Sequence, residues 1–579
     1  MSDARAFPAV SLAQAHALLT MPGSPFEMEE RDVLGRRLRV WKNAPPTLRE
    51  AFAAGRAHGE KTYLVHGDER ATYEGLARAA LAVAHELNKI GVRKGDRVAI
   101  AMRNLPEWPA AFFGTLLIGA IVTPLNAWWT GPELEFGLTD SGAKAAFVDR
   151  ERLERLFEHL PNCPALERIY VSRESEEVAH PIVAKLEDVI GDVANWSNLP
   201  ARPTPVVDLA PDDDATIFYT SGTTGKPKGA LGTHRNSCST IMANPFSIAR
   251  AYIRRGESPP QPDPAAPQKC VLVSIPFFHT TGCQAVMIPA FALGVKLVLM
   301  RKWDAGAALE LIERERVTSA GGVPTVAWQL VEHPALNQYD LSSLEGIAYG
   351  GAPAASELVR RIKQVFPKSA PGSGWGMTET SATFTHHQGE DYELRPDSCG
   401  PALPVCEMRL VGADGKPAPA GESGELWVRG PNVVKGYWRN PEATAQTFVD
   451  GWLRTGDVAK IDDEGFCTIV DRAKDMLIRG GENIYCIEVE NALFEHPAIV
   501  DAAVVGIPHR TLGEEPGAVV TVKRGMRVSE ADLRAFVAER LAAFKVPVKI
   551  ILREEFLPRN ANGKVVKAEL RKLFAPLKT

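Results

Sequence analysis

From Lys61 onward, short runs of β-branched and apolar residues alternate with longer stretches whose apolar residues recur at helical spacing. "VAIAM" at 98–102 is followed by "PEWPAAFFGTLLIGA" and "IVTPL", and "AAFVD" is followed by "RERLERLFEHL". Further on come "VLVSIPFF", "VKLVLM" and "GIAYGG". Strands alternating with covering helices predict a large α/β region that reaches about residue 400. Beyond it, glycine-punctuated pieces such as "GELWVRG", "GWLRTGDVA" and "GFCTIVDR" predict a smaller β-rich subdomain over about 400–470.

The last stretch reads as α+β. Ser529 and Asp532 form a capping-box pattern ahead of a helix whose Leu533, Phe536, Val537, Leu541 and Phe544 recur at helical spacing and are assigned to the core. "SPPQPDPAAP" at 258–267 holds five prolines and reads as a surface loop. The charged stretch "DRAKD", 471–475, marks a domain boundary. The expected fold class is therefore α/β: a large domain over 1–473, and a small α+β domain over 474–579.

The 579 residues, 45% hydrophobic and 24% charged, are enough for several cores. A net charge of −5 gives no bulk electrostatic case for nucleic acid or an anionic membrane. No apolar run approaches bilayer length and "MSDARAFPAV" lacks a secretory pattern, so a soluble cytoplasmic protein is expected. Eight cysteines without a CxxC pair read as reduced, mostly buried thiols. Trp128 and Trp129 are assigned to the core. The first sixty residues match no chemistry, and nothing in the chain decides whether it forms a homo-oligomer.

"YTSGTTGKPKGA", 219–230, follows the β-like run "ATIFY". Its glycines let backbone N–H groups converge on one point, and its hydroxyls and lysines add donors suited to phosphate oxygens. It is not a Walker loop, because Pro227 stands where that motif requires its second glycine. On composition alone a flexible linker remains an alternative.

The order of several motifs decides between them. "YTSGTTGKPKGA" is followed by "PFFHTTG" at 276–282, "YGGAP" at 349–353, "GWGMTET" at 374–380 and "GWLRTGDVA" at 451–459. "DRAKDMLIRGGENIY" at 471–485 and "PRNANGK" at 558–564 complete the series. In this order they resemble the adenylate-forming superfamily of acyl-CoA synthetases, peptide adenylation domains and beetle luciferases, from about residue 60 to the C-terminus.

The resemblance implies a large AMP-binding domain with a small mobile C-terminal lid. It also implies two steps: a carboxylate attacks the α-phosphate of ATP, releasing pyrophosphate, and the thiol of coenzyme A then displaces AMP. Such chemistry needs preplaced donors, a divalent metal and a lysine. The resemblance assigns Thr220, Ser221, Gly222, Thr223, Thr224, Gly225 and Lys228 to the phosphates, and leaves Lys226 without a role. It gives Glu379, with Thr224, to Mg²⁺, which a lone carboxylate suits.

Trp375, in the place of the family's usual tyrosine, supplies a face for adenine, flanked by Gly376, Met377 and Thr378. Gly351, Ala352 and Pro353 complete the nucleotide and acyl lining. Asp457 would accept from the ribose hydroxyls, and Arg472 would touch ribose or phosphate. Lys564 would bridge carboxylate and α-phosphate. Lys474 falls at the hinge, and Gly480 and Gly481 would pass the pantetheine arm. His279 would orient the carboxylate or gate the acyl tunnel.

Peptide adenylation domains carry an aspartate for the amino group; this chain reads Phe278-His279-Thr280-Thr281, which would leave an ammonium unpaired. Fifteen residues after Lys564 leave no room for a carrier domain. A stand-alone, AMP-forming carboxylic acid–CoA ligase is expected. Small apolar linings at 279–284, 350–353 and 380–384 point first to a medium- or long-chain fatty acid and next to an aryl or polycyclic acid. A luciferase-like oxidoreductase shares the motifs; a non-catalytic adenylate binder is disfavoured by Glu379, Asp457 and Lys564 together.

Overall fold

The strands "RVAIA" (Arg97–Ala101) and "AAFVD" (Ala145–Asp149) are almost wholly buried, as expected for parallel strands covered by helices on both faces. They lie at the centre of one of two eight-stranded sheets. A computed structural model describes residues 7–574 apart from 177, 221–225, 262, 264, 352–355, 413, 473–474, 480–481 and 561–562. In the first sheet the parallel strands are bordered by Asp214–Tyr219, Gly229–Thr233 and Gly436–Tyr437. The last two pair antiparallel.

The second sheet runs parallel from Thr62–His66 through Lys296–Leu299, Cys270–Val273, Ser319–Gly322 and Gly346–Gly350 to Ala370–Trp375. Much of the largest core lies between the sheets. Helix Glu107–Leu117 is buried on every side, and its Phe113 lies 4.8 Å from Phe291 between ring centroids. Helix Tyr73–Lys89 starts at the Thr72 cap and contributes Leu76, Ala80, Val83 and Leu87.

Six strands between Gly400 and Arg472, Gly436–Tyr437 apart, form an antiparallel sheet with its own apolar face. A five-stranded sheet then gathers Leu477–Arg479, Glu482–Ile484, Ile499–His509, Gly513–Val522 and Lys549–Arg553. The expected α/β class, with a large N-terminal and a smaller C-terminal domain, is what the chain adopts. Asp532 N–H donates to Ser529 Oγ at 3.1 Å, the predicted cap. Helix Glu530–Ala538 stops before Leu541 and Phe544, which the following turn folds back onto the same core.

The first sixty residues do structural work. Helix Leu12–Leu19 and the hairpin Met28–Val33/Arg36–Trp41 pack on helix Ala243–Arg254, with Phe26 and Trp41 at 5.3 and 5.5 Å from Phe246. Of the tryptophan pair only Trp129 is core; Trp128 is 44% exposed, with the Arg103 guanidinium 5.1 Å above its ring. Consecutive residues outside a helix point to different sides, which places one ring in and the other out. The eight cysteines are free thiols, seven of them buried. No described helix is long and apolar enough to cross a membrane.

Candidate active site

Several of the candidate residues stand at or just past the ends of strands, where open α/β sheets place their ligands. Strand Asp214–Tyr219 delivers Thr220, and strand Gly229–Thr233 leads away from Lys228. Thr220 N–H donates to the Lys228 carbonyl at 2.9 Å, and Lys228 N–H donates to Thr220 Oγ1 at 3.2 Å. These bonds pinch the base of the loop. Ser221, Gly222, Thr223, Thr224 and Gly225 lie outside the described residues. The two lysines diverge: Lys228 Nζ stands 4.4 Å from the Tyr437 ring centroid, whereas Lys226 Nζ sits over Phe136 at 5.4 Å.

Tyr437 enters through register, since it pairs with Ala230 in the sheet. Its hydroxyl donates to Glu379 Oε1 at 2.6 Å. Burial, then the Glu379 charge, pushes the phenol pKa up, so it stays a donor. Glu379 is buried at the turn Thr378–Thr380; its other oxygen accepts no hydrogen bond from a described residue. One fixed oxygen and one available oxygen make a monodentate carboxylate, which fits Mg²⁺ carrying most of its waters. No cluster of three or more metal-ligating side chains occurs among the described residues. Sequence reasoning missed Tyr437; the only cue was an aromatic in "KGYW", whose partner is 58 residues away.

Asp457 pairs with Arg472 across two antiparallel strands. Trp375 Nε1–H donates to Asp457 Oδ2 at 2.8 Å, and Arg472 Nε lies 3.1 Å from Oδ1. Each oxygen has one donor and retains acceptor capacity for another. Trp375 is held edge-on to Phe384 at 5.9 Å, with its indole N–H anchored on Asp457. Gly351 adopts φ +77°, while Ala352, Pro353, Lys474, Gly480 and Gly481 lie outside the described residues.

A Cβ on Gly376 would stand 1.4 Å from the Ala382 carbonyl oxygen, where Ser381 and Ala382 take left-handed conformations. Met377 N–H donates to Thr380 Oγ1 at 2.9 Å and closes the turn. Backbone crowds Gly376, so Gly376→Ala is expected to cost about 3 kcal/mol or more. A thermal melt checks this, and an unchanged midpoint would contradict it.

His279 opens the π-helical turn Thr281–Met287. Its Nδ1 accepts from Thr281 N–H at 3.2 Å, which leaves the ring proton on Nε2 as a donor. Burial, then the charge of Lys564, lowers its pKa to about 3, so the ring is neutral at pH 7. Lys564 reaches that range from the C-terminal domain. Asn560 N–H donates to the Lys564 carbonyl at 2.9 Å, and Lys564 N–H donates to Asn560 Oδ1 at 3.0 Å. Neighbouring Gly563, at φ +71°, abuts the Val323 side chain of the large domain.

A cation of one domain whose charge is felt at a neutral imidazole of the other, a lysine and a buried carboxylate that share Tyr437, and an Asp–Trp–Arg group together define the adenylate-forming class of enzymes. The profile of the AMP-binding enzyme family matches residues 51–438, and that of its C-terminal domain matches 488–564. The chain belongs to the AMP-binding enzyme family. A feruloyl-CoA synthase of an Amycolatopsis species is 35% identical over 89% of this chain and 96% of that protein. A long-chain-fatty-acid–CoA ligase of Bacillus subtilis is 33% identical over 88% and 91%. The crystal structure of an anthranilate CoA ligase with anthranoyl-AMP superposes with a TM-score of 0.80 at 27% identity, covering 91% of this chain and 98% of the other.

Proposed function

We propose that this AMP-forming CoA ligase activates a bulky carboxylic acid, an aryl carboxylate or a medium- or long-chain fatty acid. A carboxylate oxygen attacks the α-phosphorus and pyrophosphate leaves; the thiolate of coenzyme A then attacks the acyl carbon and AMP leaves. The observation that carries this reading is the turn of Lys564 docked from the C-terminal domain, with Gly563 against Val323 of the large domain, where the lysine's charge helps to lower the His279 pKa. There its ammonium meets both negative partners of the first step, and His279 Nε2–H orients the carboxylate.

Lys228 and Thr220, with the loop between them, receive the pyrophosphate. Glu379 would hold Mg²⁺ together with Thr224, and the ion would neutralise phosphate charge when bound. Asp457, steadied by Trp375 and Arg472, takes the ribose diol, and the indole face takes adenine. Gly351, Ala352, Pro353, Gly376, Met377 and Thr378 shape the nucleotide and acyl lining. Lys474 serves as hinge for the second step, in which Gly480 and Gly481 pass the pantetheine arm.

Between the two acid classes, buried polar atoms favour the aryl acid. Gln284, 1% exposed in the turn that follows His279, donates through Nε2 to Ser237 Oγ at 2.8 Å. Its Oε1 finds no partner among the described residues, and neither does the buried hydroxyl of Ser381. Both atoms are already withdrawn from water, so a polar substituent that reached them would gain a hydrogen bond, about 0.5–1.5 kcal/mol each, that an alkyl chain lacks. Ring hydroxyl and amino groups are substituents of that kind, and the names feruloyl and anthranilate on two of the similar proteins point the same way.

CoA-dependent AMP formation over a panel of hydroxylated cinnamates, aminobenzoates and fatty acids tests the reading. The substituted aryl acids are expected to exceed the fatty acids by about tenfold or more in kcat/KM. Gln284→Leu should reduce that ratio. A preference for fatty acids would reverse the aryl choice, and no CoA-dependent AMP with any acid would remove the ligase reading.

A further inference from the structure

Helix Pro324–Val331 touches the C-terminal domain at both of its ends. At its N-cap, Val323 packs so close to Gly563 that a Cβ there would lie 2.7 Å from Val323 Cγ2. At its C-cap, Glu332 Oε1 lies 2.8 Å from Lys523 Nζ. The first contact seats the turn carrying Lys564. The second joins the same helix to the sheet behind that turn.

The path from Lys523 to Lys564 is continuous. Lys523 follows strand Gly513–Val522, and its N–H donates to the Ala498 carbonyl at 2.7 Å. Thr521 Oγ1 donates to the Glu555 carbonyl at 2.8 Å, and Thr521 pairs with Asp501 in the sheet. Asp501 accepts from Leu557 N–H at 3.3 Å and from the Arg559 guanidinium at 2.7 Å. Arg559 in turn donates to the Gly563 carbonyl at 2.7 Å, next to Lys564. Wherever Lys523 is held, the Lys564 turn is carried with it.

We propose that the Glu332–Lys523 ion pair is a positioning contact for the first half-reaction. It seats the C-terminal domain with the Lys564 turn against Val323 and opposes the rotation that the second half-reaction requires. The inference rests on the ligase reading above. The Lys523 and Glu332 side chains are 40% and 21% exposed, so the pair is partly screened and its effect is modest, about two- to fivefold. A weak contact suits a domain that must leave in every cycle, because a strong one would trap it.

Glu332→Gln, Lys523→Gln and the charge-exchanged double variant E332K/K523E test it. Two readouts are needed: both half-reactions, by acid-dependent pyrophosphate exchange and by CoA attack on supplied acyl-adenylate, and amide hydrogen exchange over 558–566 without substrates. The single variants are expected to slow the first half-reaction about two- to fivefold, spare or quicken the second, and raise exchange at 558–566. The exchanged pair should restore both. Unchanged amide exchange, an equal loss in both half-reactions, or no restoration by the exchanged pair overturns the proposal. If no acid supports turnover, the expected exchange pattern and its restoration still support the seating, and the failure belongs to the activity.

Discussion

Lys564→Ala is expected to slow acyl-adenylate formation about 10²- to 10³-fold, the scale seen when a preorganised charge is removed from a reacting centre. Thioester formation from supplied acyl-adenylate should be nearly unchanged. On the function proposed above, the asymmetry follows from position: Lys564 sits on a C-terminal turn whose Gly563 abuts Val323 of the large domain, and its charge helps to lower the His279 pKa. In the first step two anions must approach each other, and a cation between them lowers that repulsion. In the second step the carboxylate has been consumed and no such repulsion remains. Loss of Lys564 leaves burial as the larger cause of the low His279 pKa, so the imidazole stays neutral and the variant tests charge alone. Pyrophosphate exchange and single-turnover CoA attack separate the steps; equal losses in both would refute the assignment.

Stability is expected to fall steeply as pH drops below about 6.5. His16 and His279 have pKa values lowered to about 3, His234 and His386 to about 4, and His387 is well below its ordinary value. Burial is the first cause in each, reinforced at His16 and His386 by Arg250. Buried ring nitrogens of His16, His234, His386 and His387 have no hydrogen-bond partner among the described residues to receive a new charge.

The sign follows from proton uptake. Between pH 4 and 6.5 the unfolded chain protonates these rings while the native state holds them neutral, so the unfolded state binds more protons and acid favours it. At pH 5 each ring contributes at most about 2 kcal/mol, and five together rival the total stability of a domain. Asp471, pushed up to about 6 by burial, works the other way, because the native state takes up its proton in acid. Asp501 and Glu107, also raised by burial, do the same. One such group near pH 6 offsets part of the histidine effect but not its sum. Denaturant melts from pH 8 to 5 should show a falling midpoint, and a flat profile would contradict the account.

Candidate residues could be named from the sequence because their motifs are local in the chain. A loop of Ser, Thr, Gly and Lys after a strand, a "TGD" turn and a glycine-bordered lysine near the C-terminus are short patterns whose residue types answer the demands of adenylation. The helical stripe around Leu533 and Val537 was readable for the same reason: one period governs both backbone and burial. Leu541 and Phe544 shared the stripe but not the helix, because the chain turned and reused their apolar surface in the same core.

Partner choice lay beyond that reach. Tyr437 meets Glu379 because Ala230 and Tyr437 share a register, and Trp375 meets Asp457 across 82 residues. Glu332 meets Lys523 across 191 residues and a domain boundary. The sequence alone determined the α/β class, the order of the motifs and the kinds of donor, acceptor and cation available. The tertiary structure decided which carboxylate is anchored by which donor, which of two neighbouring lysines turns toward Tyr437, and which helix of the large domain touches the C-terminal domain. Those contacts depend on strand register and domain docking, sums over many distant residues that no short window of sequence contains.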